Sequence, residues 1–346
     1  MPEFLPNPSA RRGAPTGLFT TEEYEQVAAF YDAHPTIRPT PLRRRPGLAA
    51  ELGLGELLVK DETARGGLPA FKLTGVAYAV ERMMDAGRIG ADAVLAAATA
   101  GNHGRALARV ARDRGLRARI YVAADVSPER VAPIRDEGAE IVVCPGNYDD
   151  AVRQAAAEAE ANGWIIVSDT AWPGYEEIPR WIKAGYTRVI DEAARDWTDE
   201  TRPDLILVQG GVGGLVVATL SWLCARYGAA RPTFVACEPI GSACLLESAR
   251  AGRPVTLSSL GPTIMECLRC GEASSIALPV ITEAADAFLA IEDAWCERAM
   301  RLLAAAGLPA GASGACGLAG LLALLQAGHR PHRALVIATE GDGNRR

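Results

Sequence analysis

Short strand-like runs alternate with stretches of helix length along almost the whole chain, and no other feature restricts the fold as much. The runs are Glu56–Lys60, Val94–Ala98, Ala118–Val122, Glu140–Cys144, Trp164–Val167, Leu205–Val208, Thr233–Cys237, Ala285–Ile291 and Ala334–Ala338. Between them lie segments such as Leu73–Asp85, Arg105–Arg114, Asp149–Ala161, Ile178–Arg195 and Leu215–Arg226, which read as helices. Regular alternation of this kind predicts an α/β fold, with parallel-rich sheets flanked by helices on both faces. There is no internal repeat and no low-complexity segment. Residues 1 to about 20 hold several Pro and Gly and read as a draped arm.

With 346 residues the chain can bury a large core and is long enough for two domains. Its formal net charge is −6, and the only basic block is Arg43-Arg44-Arg45, which reads as solvated surface. Nucleic acid is therefore not an expected partner. The N-terminus lacks a charged region followed by an apolar run, and no uninterrupted apolar stretch approaches the length of a membrane span, so neither a signal peptide nor a membrane segment is expected. Eight irregularly spaced cysteines read as free thiols in a reducing cytoplasm. Cys267 and Cys270 form a lone C-x-x-C pair without a second pair or an adjacent histidine, so no metal is expected.

Three motifs carry chemistry. In Lys60–Gly75, Lys72 follows Phe71 and immediately precedes the helical pattern that begins at Leu73. An amine near the positive end of a helix dipole and against an apolar neighbour is disfavoured in its charged form, and a partly neutral lysine is a nucleophile that forms Schiff bases. A lysine alone more often snorkels at the surface. The second motif is Thr99-Ala100-Gly101-Asn102-His103-Gly104, a glycine turn between a strand and a helix. Its N–H groups can bind a substrate carboxylate, and Asn102 offers an amide to a phenolic oxygen, although an ordinary turn with an Asn cap fits equally well. The third is Gln209-Gly210-Gly211-Val212-Gly213-Gly214, again between strand and helix, where successive N–H groups can form a phosphate cradle. A dinucleotide fingerprint starting at Gly211 fails at Val216, and no Gly-Lys-Ser/Thr follows for a Walker loop. A nucleophilic lysine, an Asn turn and a phosphate cradle together point to a phosphate-bearing aldehyde, pyridoxal phosphate (PLP).

At these motifs the chain resembles the fold-type II (tryptophan synthase β-like) PLP enzymes, and within them the diaminopropionate ammonia-lyase branch. The resemblance runs over nearly the whole chain: Pro39–Leu42, the Lys72 segment, Gly101–Gly104, Gly146–Val152, Asp169–Trp172 with Gly174–Pro179, Thr263–Met265 with Cys270–Glu272, and Thr339–Asp342. It implies a large PLP-binding domain (1–77 and 169–346), a smaller inserted α/β domain (78–168), PLP in the cleft between them, a small amino-acid substrate and a homodimer. It implies catalytic roles for Lys72 and Asp169. Cofactor contacts fall to Phe71, Lys72, Asn102, Gly210, Gly211, Val212, Gly213, Gly214 and Thr339, and substrate contacts to Thr99, Ala100, Gly101, His103 and Asp169. Thr339 stands where the family places a hydroxyl or thiol against the pyridine nitrogen, which suits β-elimination over transamination; it also fits a simple strand cap. Asp169 can hold a β-ammonium group or merely close an Asx-turn. Glu238, after the strand Thr233–Cys237, is either a ring contact or a strand-end acid. His103 reads as a structural donor, and His329 and His332 as surface residues.

The chain departs from the branch in three places. Ala100 replaces an aspartate thought to be the base for D-substrates, Ala312 stands where a glutamate usually precedes Ser-Gly-Ala, and Glu266 and Cys267 replace small residues. The expected reaction is β-elimination on a β-substituted amino acid, with L-2,3-diaminopropionate giving pyruvate and ammonia. Two alternatives stand beside it: β-replacement through an aminoacrylate, and a catalytically silent PLP-binding protein.

Overall fold

The structure is a computed structural model that describes residues 1–12 and 17–343. The described chain forms two compact units, one of Met1–Phe71 with Tyr186–Gly343 and one of Lys72–Gly185. The strands are β1 (Glu3–Pro6), β2 (Leu42–Arg44), β3 (Glu56–Asp61), β4 (Val94–Ala98), β5 (Arg117–Ala123), β6 (Glu140–Cys144), β7 (Ile165–Ile166), β8 (Leu205–Gln209), β9 (Thr233–Pro239), β10 (Ala287–Ile291) and β11 (Arg333–Ala338).

The first unit is built on a sheet of order β1-β10-β9-β8-β11-β3-β2. Its interior strands pair in parallel, and each edge strand, β1 and β2, pairs antiparallel. Parallel strands must be covered on both faces, which is why β8, β10 and most of β9 are buried at every residue. The helix Ala312–Gln326 is apolar nearly all round and buried through Leu324 within this core. The second unit holds the all-parallel sheet β6-β5-β4-β7, with Ala96, Tyr121, Cys144, Ala151 and Ala155 forming a core cluster.

The α/β expectation therefore holds, with parallel-rich sheets. The N-terminal segment differs from a draped arm. Glu3–Pro6 adds a strand to β10, Asn7 donates from its side chain to the carbonyls of Thr282 and Ala285 at 2.9 Å each, and Thr20 opens the helix Thr21–Ala33 with a capping box to Glu23. Arg43 and Arg44 also do more than face solvent. They lie on β2 and pair with Asp61 and Glu56 respectively. No helix among the described residues is long and apolar enough to cross a membrane.

The charged end of β3 is locked into a buried ion network of the first unit. Lys60 donates to the Thr40 carbonyl (2.6 Å) and to Glu192 (2.7 Å). Arg65 makes 2.8 Å bonds to both Glu192 oxygens and a 2.9 Å bond to Glu62, and Arg188 adds a further 2.8 Å bond to Glu192. Burial alone would raise the Glu192 carboxyl, but Arg65 and Lys60 outweigh it and bring it down to about 2. Removing one member strands the others in a buried site, so Arg65→Ala is expected to cost about 3–5 kcal/mol in urea unfolding. A loss below about 1 kcal/mol, the scale of an exposed pair, would show that the network is not holding the fold.

Candidate active site

In the second unit, β4 ends in the turn Thr99–Gly101 and the helix Asn102–Asp113 follows directly. The turn is tight: a Cβ on Gly104 would stand 2.9 Å from the Thr99 Cγ2 atom and 3.3 Å from the Thr99 carbonyl oxygen. A glycine is thus required for the helix to approach the strand end. Thr99, Ala100, Gly101 and Asn102 are half-buried and remain accessible, whereas His103 is buried. His103 donates from Nε2 to the Val167 carbonyl at 2.7 Å, the structural bond expected of it, and its buried Nδ1 has no hydrogen-bond partner.

Lys72 is the N-cap residue of the helix Leu73–Asp85, at the positive end of its dipole. Its amine is not set in an apolar pocket, however. It forms an ion pair with the Asp169 carboxylate, which comes from the segment after β7. His103 Nδ1 lies 3.9 Å from the same carboxylate, and a fourth residue, Lys183 of the helix Glu177–Ala194, donates from Nζ to the Asp169 carbonyl oxygen at 2.6 Å. Lys72 and Asp169 are partly open to solvent, while Lys183 is fully buried. Burial would raise the Asp169 carboxyl, but Lys72, His103 and Lys183 together hold it well below the usual carboxylate range. Burial, with a further push from the Lys72 charge, pulls Lys183 down to about 7 against the attraction of Asp169, and burial lowers His103 as well.

In the first unit, the loop after β8 leads into the helix Gly214–Tyr227. Gly213 has φ +87°, in the left-handed region that favours glycine, and a Cβ there would stand 2.7 Å from Ile281 Cδ1. The Gly210 amide is spent on the Cys237 carbonyl (2.8 Å), but no protein acceptor among the described residues takes the amides of Gly211, Val212, Gly213 or Gly214. These amides lead into a helix N-terminus, which is an anion cradle. Thr339 follows β11 and is buried. Its Oγ1 accepts from Gln209 Nε2 at 2.9 Å, and Gln209 Nε2 also lies within 2.9–3.1 Å of the carbonyls of Ile337, Ser313 and Gly314. Gln209 thus ties the end of β11 to the start of the helix Ala312–Gln326. Phe71 packs its ring edge-on against Tyr186 at 4.8 Å. Glu238 is spent locally, accepting from the Leu245 and Leu246 amides at 2.8 and 2.9 Å, and burial raises its carboxyl to about 8.

Residues 33–340 match the model of the family "Pyridoxal-phosphate dependent enzyme". The chain is 34% identical to diaminopropionate ammonia-lyase of Salmonella typhimurium, over 95% of this chain and 92% of that protein, and 33% identical to the Escherichia coli enzyme of the same name, over 95% and 91%. It belongs to the PLP-dependent enzymes, in the diaminopropionate ammonia-lyase family. A solved structure of the Escherichia coli enzyme in complex with D-serine is similar with a TM-score of 0.88 at 32% identity, covering 99% of this chain and 94% of that one. Threonine deaminase isoform 2 of Solanum lycopersicum shares the fold, with a TM-score of 0.81 at 19% identity.

Each unit carries groups that fit the family's cofactor. The uncommitted amides of Gly211–Gly214 meet the need of a phosphate, the Thr339 hydroxyl is held as an acceptor by Gln209 and so keeps its own proton to donate, and Lys72 has an accessible amine. Two participants escaped the reading of the sequence. Gln209 was quoted only as the residue before the glycines. Lys183 lies inside a long helical pattern, where its one signal is spacing: Tyr186 and Ile190, three and seven positions on, are fully buried, so the lysine stands on an inward stripe.

Proposed function

We propose that the enzyme catalyses β-elimination on L-2,3-diaminopropionate, which with the uptake of one water in the final hydrolysis gives pyruvate and two molecules of ammonia. The observation that carries this reading is the pairing of the Lys72 amine with a carboxylate, Asp169, that its surroundings keep anionic. When bound, PLP supplies the electron sink that lets an α-proton and a β-substituent leave. Lys72 would be the attachment point for the cofactor, and its amine would be the base for the α-proton. Gly211–Gly214 would hold the phosphate, and the Thr339 hydroxyl would be a hydrogen-bond partner for the ring. The turn Thr99–Asn102 offers amides to the substrate carboxylate. Asp169, paired with an ammonium here, is suited to hold the substrate's β-ammonium by the same charge-assisted hydrogen bond. The similar proteins named above are ammonia-lyases, which favours elimination over replacement.

Asp169→Asn tests the assignment. It is expected to cost about 1.5–3 kcal/mol in kcat/KM with diaminopropionate, the worth of a hydrogen bond to a charged group, and much less with β-chloroalanine or O-acetylserine. An equal loss on all three substrates would mean that Asp169 serves the fold or the lysines and not the β-substituent. We further infer a reducing cytoplasm as the working compartment, supported by eight cysteines of which none forms a disulfide among the described residues, and a homodimer, as the family resemblance implies. A monomeric mass by light scattering would remove the latter.

A further inference from the structure

Lys183 takes no part in the steps above, yet it is wholly buried in the same cluster. Asp169 is held from two ends, its carboxylate by Lys72 and its main-chain carbonyl by Lys183 at 2.6 Å. The helix that carries Lys183 packs closely on the start of the helix that Lys72 opens. Two residues on, a Cβ at Gly185 would overlap the Thr74 carbonyl oxygen and stand 2.8 Å from Gly75 Cα, so this helix is pressed against the first turn after Lys72. The charged and titratable groups that act on Lys183 are Asp169 from the segment after β7 and Lys72 from the start of the helix Leu73–Asp85; His103, from the helix after β4, faces the same carboxylate.

Asp169 therefore lies among three basic groups, two at its carboxylate and one at its main-chain carbonyl. Burial of Lys183 and His103 disfavours cations on both beside the Lys72 ammonium, which takes the Asp169 charge and repels a second proton on Lys183. Drawing the Lys72 nitrogen away from Asp169 weakens that repulsion and leaves Asp169 without its nearest cation. Both changes favour a proton on Lys183.

We propose that Lys183 is a positioning residue of the same reaction, which fixes Asp169 by its main-chain carbonyl and becomes the counter-cation of that carboxylate whenever the Lys72 amine is engaged. This rests on the reading above, in which Lys72 and Asp169 act on cofactor and substrate. The only species that moves is one proton, taken from solvent by Lys183 Nζ. No other bond changes. Asp169 thereby stays anionic and in place for an incoming β-ammonium.

The test follows the side-chain nitrogen of Lys183 by NMR in full-length protein labelled with ¹⁵N-lysine and assigned with Lys183→Arg. Its titration midpoint is expected to rise by about one pH unit or more, the usual effect of removing a close like charge, both on adding PLP and in the cofactor-free Lys72→Met variant. Lys183→Met is expected to lower kcat/KM for diaminopropionate several-fold and to move the acid limb of its pH profile upward, with Lys183→Arg restoring both. A midpoint unmoved by Lys72→Met overturns the proposal. So does a Lys183→Met enzyme that loses thermal stability but keeps the wild-type pH profile. Failure of the functional reading shows separately, as PLP that borohydride does not fix to Lys72, and the Lys72→Met titration is independent of that result.

Discussion

Lys72→Ala is expected to lower turnover by on the order of 10⁴-fold or more, the upper end of what one positioned base supplies, because the same amine also anchors the cofactor. Wild-type protein should show a visible absorbance band and yield PLP fixed to the Lys72 peptide after borohydride; the variant should show neither. The position supports this expectation in two ways. Lys72 is partly open to solvent at a helix N-terminus, and its amine is already oriented by Asp169. Lys72→Arg is the informative control, since it keeps the charge opposite Asp169 without an amine that can condense with an aldehyde. It should fold like the wild type and remain inactive. Borohydride-fixed PLP at Lys183, the other lysine of the cluster, would transfer the attachment site there and overturn the assignment of Lys72.

How much of the fold was legible follows from burial. The interior strands β3, β4, β8, β9 and β11 appear close to where apolar runs place them, since a strand covered on both faces has little room for polar residues. The edge strands were not legible. β1 is only Glu3–Pro6, ends in proline and alternates between half-buried and exposed positions, while β2 consists of Leu42 and two arginines. Edge strands need no continuous apolar run, and proline is tolerated there because one side of the strand has no ladder to complete. β7 shrinks to Ile165–Ile166 within the expected Trp164–Val167 because the chain turns away toward Asp169 after pairing with β4 over only two positions.

The site was legible where a special backbone announces it. Gly104 and Gly213 mark places where a Cβ has no room, and both flank the strand-to-helix turns read from the sequence. Contacts between distant positions were not legible. Nothing near Lys72 indicates that Asp169, 97 positions away, is its partner, and nothing near Asp169 indicates that Lys183 holds its carbonyl. The network of Lys60, Glu62, Arg65 and Glu192 was hidden for the same reason. Its members read as polar residues after a strand and on a helix, and only the tertiary fold shows that they neutralise one another while buried.

Stereochemistry gives the second large effect, and it rests on which side of the substrate the bases stand. If Lys72 is the base, as proposed above, it reaches the α-carbon from one face, so an α-proton on the opposite face needs another base, a contribution worth about 10²–10⁴-fold. In the turn Thr99–Gly104, the accessible position that the family fills with a carboxylate is Ala100, whose methyl group accepts no proton. His103, the other candidate in the turn, is poorly placed. Its Nε2 is committed to Val167, and its Nδ1 lies 3.9 Å from the carboxylate that pairs with Lys72, which puts it in the Lys72 cluster. D-2,3-diaminopropionate is therefore expected to turn over at least about 10²-fold more slowly than the L-form, with Ala100→Asp raising the D-rate and leaving the L-rate within a few-fold of wild type. Separate pyruvate assays on the two pure enantiomers decide the matter. Comparable wild-type rates would mean that a base outside this turn serves the second face. A D-rate untouched by Ala100→Asp would mean that the position does not reach the α-carbon, and the loss of the family's aspartate would then carry no stereochemical consequence.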